Sequence, residues 1–236
     1  MSKPRPKETG KITIAIDGPA GSGKSTVAKR VAAALGILYL DTGAMYRAVT
    51  LKALRAGLSL TDEVALAELA AATVLEFKQT ADGTYHLFMD GEDVSTEIRS
   101  VPVTQAVSAV SAVPGVRAVL VQQQQRIGRQ GGVVMDGRDI GTVVLPQADL
   151  KIFLTASLAE RAHRRWRELR AKGCLVTKEE VEEDLERRDA FDAGRPVAPL
   201  KPAADSIILD TTALTIEEVV AKILALSSSF WAKQEG

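Results

Sequence analysis

The chain has 236 residues, 46% of them hydrophobic and 25% charged, and its 30 Lys and Arg balance 30 Asp and Glu. That length holds one large domain, or a core with small added lobes, and excludes disorder along the whole chain; zero net charge and a pI near 6.8 speak against gripping nucleic acid or an anionic membrane by bulk charge. A single cysteine, Cys174, excludes an intrachain disulfide and a cysteine-rich metal site, and points to a reducing compartment.

Residues 1–10 are rich in Lys, Arg, Pro and Glu and read as a disordered leader, without the apolar stretch of a signal peptide. From Lys11 to Asp17 the run KITIAID predicts a strand. The glycine-rich GPAGSGKST then leads into VAKRVAAALG, a helical pattern closed by Gly36. The short apolar run ILYL ends at Asp41, and helical patterns cover Ala44 to Ala56 and Glu63 to Ala72. Alternation in VLEFKQ and YHLFMDG, around Asp82 and Gly83, predicts an antiparallel hairpin inserted into an α/β core. Helices are expected over Val103–Val113 and Gly115–Arg129, split by Pro114. GGVVMD and LKIFLT read as buried strands, Leu158–Arg170 and Lys178–Phe191 as charged helices, SIILD as a last strand and Ile216–Leu226 as a last helix. No apolar run approaches the roughly 18 residues that a membrane span needs. The expectation is a soluble cytoplasmic protein whose parallel sheet carries helices on both faces.

Gly18 to Ser25 reads GPAGSGKS, a match to the phosphate-binding pattern GxxxxGKS between a predicted strand and a predicted helix. Glycines let successive N–H groups turn into one cavity, and the helix start adds its positive dipole end. Polyphosphate is the expected guest of Gly18, Pro19, Ala20, Gly21, Ser22, Gly23, Lys24, Ser25 and Thr26. Lys24 would reach the β and γ phosphates, and Ser25 would hold Mg²⁺, an ion that prefers oxygen and keeps several waters. A glycine-rich helix start without a ligand is the plainer alternative. Asp136 closes the apolar strand GGVVMD, and carboxylates at the C-terminal ends of sheet strands face the ligand crevice, so it is expected to act on Mg²⁺ through water. Asp17 has a weaker claim of the same kind, since it could simply cap the loop.

In SLAERAHRRWRELR, Arg161, Arg164 and Arg165 share one helical face, where like charges repel by some tenths of a kcal/mol per pair. An anion would relieve this crowding, and so would pairing with Glu160 and Glu168. ERRDAFDAGR adds Arg188 and Asp192 four residues apart, with Arg195 beyond Gly194. His86 and His163 read as surface or structural histidines, Cys174 as a surface thiol, and Trp166 and Trp231 as packing residues.

Taken together, DGPAGSGKST, LDTGAMYRA, GEDVSTEIR, VMDGRDIGTVVLP, KIFLTAS with ERAHRR, ERRDAFD and RPVAPLKPAAD resemble the bacterial cytidylate kinases of the nucleoside monophosphate kinase group, over most of Lys11 to Leu226. The resemblance implies a P-loop kinase domain over residues 11–236, a small monophosphate-side lobe at about 73–100, a helical lid at about 157–196, and transfer of the γ-phosphoryl group of ATP to CMP or dCMP by a monomer. It also implies that Thr42 and Arg47 hold the acceptor phosphate with Arg138, and that Ser108, Arg117 and Asp139 meet cytosine. Arg188 and Asp192 would meet ribose, and Arg161, Arg165, Arg188 and Arg195 would act with Lys24 around the phosphates. Thr42 stands where many relatives carry serine, which keeps the hydroxyl. Cytosine presents an N4 donor where uracil has a carbonyl, so an acceptor such as Asp139 favours cytosine. The attacking oxygen belongs to a phosphate with a second pKa near 6, which needs no general base. Two alternatives stand beside this reading: a P-loop kinase for UMP or a small metabolite, and a nucleotide-dependent switch protein.

Overall fold

The computed structural model describes residues 11–80, 85–171 and 173–232; the expected leader and the Asp82–Gly83 turn lie outside them. In chain order the elements are β1 (Thr13–Asp17), α1 (Lys24–Leu35), β2 (Leu38–Asp41), α2 (Thr42–Arg55), α3 (Glu63–Ala71), β3 (Leu75–Gln79), β4 (Tyr85–Met89), β5 (Glu92–Asp93), α4 (Val101–Ala112), α5 (Pro114–Gly128), β6 (Val133–Gly137), β7 (Leu150–Thr155), α6 (Leu158–Ala171), α7 (Lys178–Gly194), β8 (Ile207–Asp210) and α8 (Ile216–Ala232). They form two compact units, one running to Tyr39 and resuming at Ile127, the other spanning Leu40–Arg126, so that the change of unit falls inside β2.

The first unit is built on a sheet of order β2-β6-β1-β7-β8. β1 pairs in parallel with β6 (Ile14 opposite Val134) and with β7 (Ile14 opposite Leu150), and β7 pairs in parallel with β8. All five residues of β1 are buried, which is what a central strand with both faces covered requires and why TIAID lacks polar alternation. Ile12, Ile14, Ile16, Val134, Ile152 and Leu154 pack against Val27, Ala28, Val31 and Ala32 of α1 and Val219 and Ile223 of α8. Each fully buried Ile, Leu or Val in that layer contributes about 1.5–3 kcal/mol. α6 and α7 pack on each other through Ala162, Val181 and Leu185, with Ala20 of the glycine-rich loop in the same cluster. A capping box starts α7: Thr177 Oγ1 accepts from the Glu180 N–H at 3.1 Å, and the Thr177 N–H donates to Glu180 Oε2 at 2.8 Å.

Because β1 sits between β6 and β7, the segments leaving the C-terminal ends of all three strands converge on one crevice. These segments are the glycine-rich loop, the Gly137–Asp139 stretch and the start of α6. After Asp139 the chain enters a π-helical turn, Ile140–Val144, which no periodicity in IGTVV announces.

In the second unit β3 and β4 form the expected antiparallel hairpin, with Phe77 opposite Leu87, and β5 adds a short third strand. Leu87 and Met89 pack on Ala44, Ala48 and Leu51 of α2, together with Val94, Ile98 and Val103. α2 begins two residues before the predicted start because Asp41 Oδ1 accepts the Ala44 N–H at 3.0 Å and caps it. α4 and α5 meet at 93° where Pro114 begins the second of them. No single described helix is long and apolar enough to cross a bilayer.

Candidate active site

Gly18 adopts φ +149°, and a Cβ there would fall 2.0 Å from the Leu154 carbonyl oxygen, so only glycine lets the loop leave β1 this close to β7. Gly23, at φ 86°, turns the chain into α1, whose first helical bond runs from the Val27 N–H to the Gly23 carbonyl. The N–H groups of Lys24, Ser25 and Thr26 precede that bond, and no side chain caps the helix, an arrangement suited to an anion.

Lys24 is buried, and its Nζ donates to the Pro19 carbonyl at 2.7 Å and to Ser22 Oγ at 3.4 Å. Burial first, and repulsion from Arg138 second, push its pKa down to about 7 against the pull of Asp136, Asp17 and Asp192. Ser25 Oγ donates to Asp136 Oδ2 at 2.8 Å, and the Tyr39 hydroxyl donates to Asp136 Oδ1 at 2.9 Å. An exposed hydroxyl beside a buried carboxylate is a hard oxygen pair that fits Mg²⁺, which takes one or two such ligands and completes its shell with water and substrate phosphate. Tyr39, which orients Asp136, carries no motif that sequence reasoning could use. Asp17 serves a different neighbour from the one expected. Its two oxygens accept the Ile140 and Gly141 N–H groups, each at 2.7 Å, so it anchors the turn that follows Asp139. Burial raises its pKa to about 6, with the two N–H bonds opposing and Asp139 adding to the rise.

The same unit brings Arg138, Arg165, Arg188 and Arg195 into one interacting set. Arg138 Nε donates to Asp192 Oδ2 at 2.7 Å, and Arg195 lies 3.0 Å from Asp192 Oδ1, so this one carboxylate orders two guanidiniums and keeps further lone pairs. Arg188 lies 3.9 Å from Asp184, and its pKa is lowered by burial, then by Arg138, with Arg165 adding repulsion. Arg165 pairs with Glu168 at 2.7 Å. Asp139 is buried, and its carbonyl accepts the first bonds of the π-helical turn. Arg161 has a different set of partners. It is buried, and donates to the Ala20 carbonyl at 2.9 Å, the Ala156 carbonyl at 3.1 Å and Asp189 at 2.5 Å. Arg164, weighed with it as part of a crowded face, binds Glu160 at 2.9 Å and the Thr211 carbonyl at 2.6 Å. Carboxylates and carbonyls thus relieve much of the crowding on α6.

The remaining predicted acceptor residues lie in the second unit. Thr42 is the buried first residue of α2, and Arg47 on the same helix donates to Thr104 Oγ1 at 2.9 Å and the Ile98 carbonyl at 3.2 Å. Ser108 is half-buried on α4. Arg117 on α5 is buried, stacks over the Tyr46 ring at 5.4 Å and donates to the Ser111 carbonyl at 3.1 Å. Both histidines are engaged elsewhere: His86 Nδ1 lies 2.6 Å from Asp93, and His163 stacks on Trp166, whose indole N–H donates to the Val176 carbonyl. Among the described residues no group of three or more His, Cys, Asp or Glu is placed to hold a metal by itself.

Comparisons with known proteins identify the family. The cytidylate kinase family model matches residues 14–229. The cytidylate kinase of Pelotomaculum thermopropionicum is 53% identical over 92% of this chain and 96% of its own length, and that of Desulfitobacterium hafniense is 54% identical over 91% and 92%. An uncharacterized protein from Eubacterium ventriosum superposes with a TM-score of 0.51 over 93% of this chain and 99% of its own, at 14% identity, a likeness of fold alone. With the family model spanning both units and relatives above half identity along nearly their full length, the chain belongs to the cytidylate kinase family.

Proposed function

We propose that the chain transfers the γ-phosphoryl group of ATP to CMP or dCMP, giving ADP and CDP or dCDP, as a cytoplasmic monomer. The observation that carries this reading is the convergence of Lys24, Arg138, Arg165 and Arg188. Burial first, and repulsion from Arg138 second, disfavour the charged forms of Lys24 and Arg188 in the protein alone, and a polyphosphate would offset that cost.

The glycine-rich loop holds the donor phosphates on its N–H groups and Lys24. Ser25 and Asp136 would hold Mg²⁺, which would supply positive charge to offset that of the donor phosphates. Thr42, Arg47 and Arg138 bind the acceptor phosphate, whose own oxygen attacks, so no side chain has to remove a proton. Charge spreads over the transferring group in the transition state, and Lys24, Arg165, Arg188 and Arg195 stabilise it by fixed donors rather than by covalent chemistry. The lid helices α6 and α7 exclude water, which would otherwise take the phosphoryl group. Ser108, Arg117 and Asp139 read the base. Asp192, already held by two arginines, presents its remaining lone pairs to the ribose. The scarcity of histidine is consistent with this chemistry.

Asp139→Asn tests the base assignment. Asparagine keeps one acceptor and adds a donor, so a site matched to the cytosine amino group loses that match while uracil gains one. An unmatched buried polar group costs about 1–3 kcal/mol, so the ratio of kcat/KM for CMP over UMP is expected to fall roughly ten- to hundredfold. An unchanged ratio in a folded variant removes Asp139 from the base pocket.

A further inference from the structure

Ala20, inside the phosphate loop, has both backbone polar groups taken from outside the loop. Its N–H donates to Asp189 Oδ1 at 3.3 Å, and its carbonyl accepts from Arg161 at 2.9 Å. Arg161 and Asp189 close the circuit with an ion pair at 2.5 Å. The Arg161 side chain is only 8% exposed, and its Nε is held by the Ala156 carbonyl, so the guanidinium has little freedom to swing elsewhere. The next residue, Gly21, is pressed against the same helices: a Cβ there would lie 3.1 Å from Arg161 Cβ and 3.5 Å from Leu185 Cδ1. The Ala20 side chain packs with Ala162, Val181 and Leu185.

We propose that Asp189 is a positioning residue for the donor phosphates: with Arg161 it clamps the Ala20 peptide and fixes the phosphate loop to the two lid helices. The loop's own bracing is weak on this flank, where the Ser22 N–H reaches the Pro19 carbonyl only at 3.5 Å. Glycine-rich backbone is entropically costly to hold in one shape, and phosphate recognition by N–H groups needs that shape in place before the ligand arrives. Arg161 therefore acts on the phosphates through Ala20 rather than by touching them. Asp189 sits one residue after Arg188 and three before Asp192, so a single turn of α7 carries the loop clamp beside two acceptor-side residues.

The inference rests on the reading of this loop as the ATP phosphate site. It is tested without turnover, by calorimetric titration of AMP-PNP with Mg²⁺ into the wild-type chain, Asp189→Ala, Asp189→Asn, Arg161→Gln and the double variant Asp189→Ala/Arg161→Gln. CMP is titrated separately into each, and thermal melts are recorded. Asp189→Ala is expected to weaken the analogue about tenfold. Asp189→Asn, which keeps an acceptor for Ala20 but loses the charge pair, should weaken it about threefold. CMP affinity should stay within about twofold of wild type, and the double variant should bind the analogue no worse than the weaker single one, because the two groups act as a unit. Analogue affinity unchanged in a variant with a lowered melting temperature would reduce the pair to a brace between helices and overturn the proposal. Equal weakening of CMP, or additive losses in the double variant, would overturn it too. If the wild-type chain itself fails to bind the analogue, the underlying reading of the loop falls instead.

Discussion

Replacing Lys24 with alanine lowers CMP-dependent ADP formation by about a thousandfold, the scale expected when a fixed cationic donor to a developing phosphoryl charge is removed. The same variant keeps or slightly raises its melting temperature. Both expectations follow from one arrangement. The Lys24 amine is buried under the loop, repelled by Arg138, and pushed down to a pKa near 7, so the folded protein carries it at a cost that serves the ligand rather than the fold. Alanine removes that cost together with one bond to Pro19 and a long one to Ser22. Steady-state kinetics and a thermal melt on the same preparation check the pair of results. Wild-type turnover in the folded variant would place the chemistry elsewhere; a large fall in melting temperature would make Lys24 a structural residue.

Arg188→Ala is expected to lower kcat/KM for CMP about a hundredfold while changing the KM for ATP little. Arg188 is half-buried on α7, where Arg138 and Arg165 repel it while Asp184, 3.9 Å away, and Asp192 attract it. A guanidinium whose ion-pair partner stands at that distance is better placed for an incoming anion than for the fold. Arg188→Lys should recover little of the loss, because an ammonium cannot reproduce the planar two-point grip of a guanidinium on phosphate. Recovery by lysine would mean that charge alone matters at this position. An unaltered CMP profile in Arg188→Ala would remove the residue from the acceptor site.

Much of the fold is legible in the chain because its elements are locally determined. Five buried residues in β1 without alternation, glycines at both ends of the phosphate loop, Gly36 after α1, the alternating VLEFKQ and YHLFMDG and the TKEE capping box each encode their structure within a few residues. What was not legible depends on groups far apart in sequence. The π-helical turn at Ile140–Val144 is held by Asp17, more than 120 residues earlier, so nothing within IGTVV signals it. Tyr39 reaches Asp136 across 97 positions, and Asp189 reaches Ala20 across 169. Helical spacing rightly put Arg161, Arg164 and Arg165 on one surface of α6. It could not distinguish the arginine that turns inward to a loop carbonyl from the ones that pair with carboxylates of their own helix. The neutral total charge also conceals this arrangement: between Glu160 and Arg195 basic and acidic residues are equal in number, yet Arg188 is held near Arg165 and Arg138 with its ion-pair partner Asp184 at 3.9 Å.

The most direct measurement of the account is a single coupled assay of ADP formation by the wild-type chain with ATP and Mg²⁺ and, in turn, CMP, dCMP, UMP, AMP and no acceptor. Rapid ADP formation is expected with CMP and dCMP, much slower formation with UMP and AMP, and almost none without an acceptor. Equal rates with and without CMP would contradict it and make the chain a nucleotide hydrolase or switch.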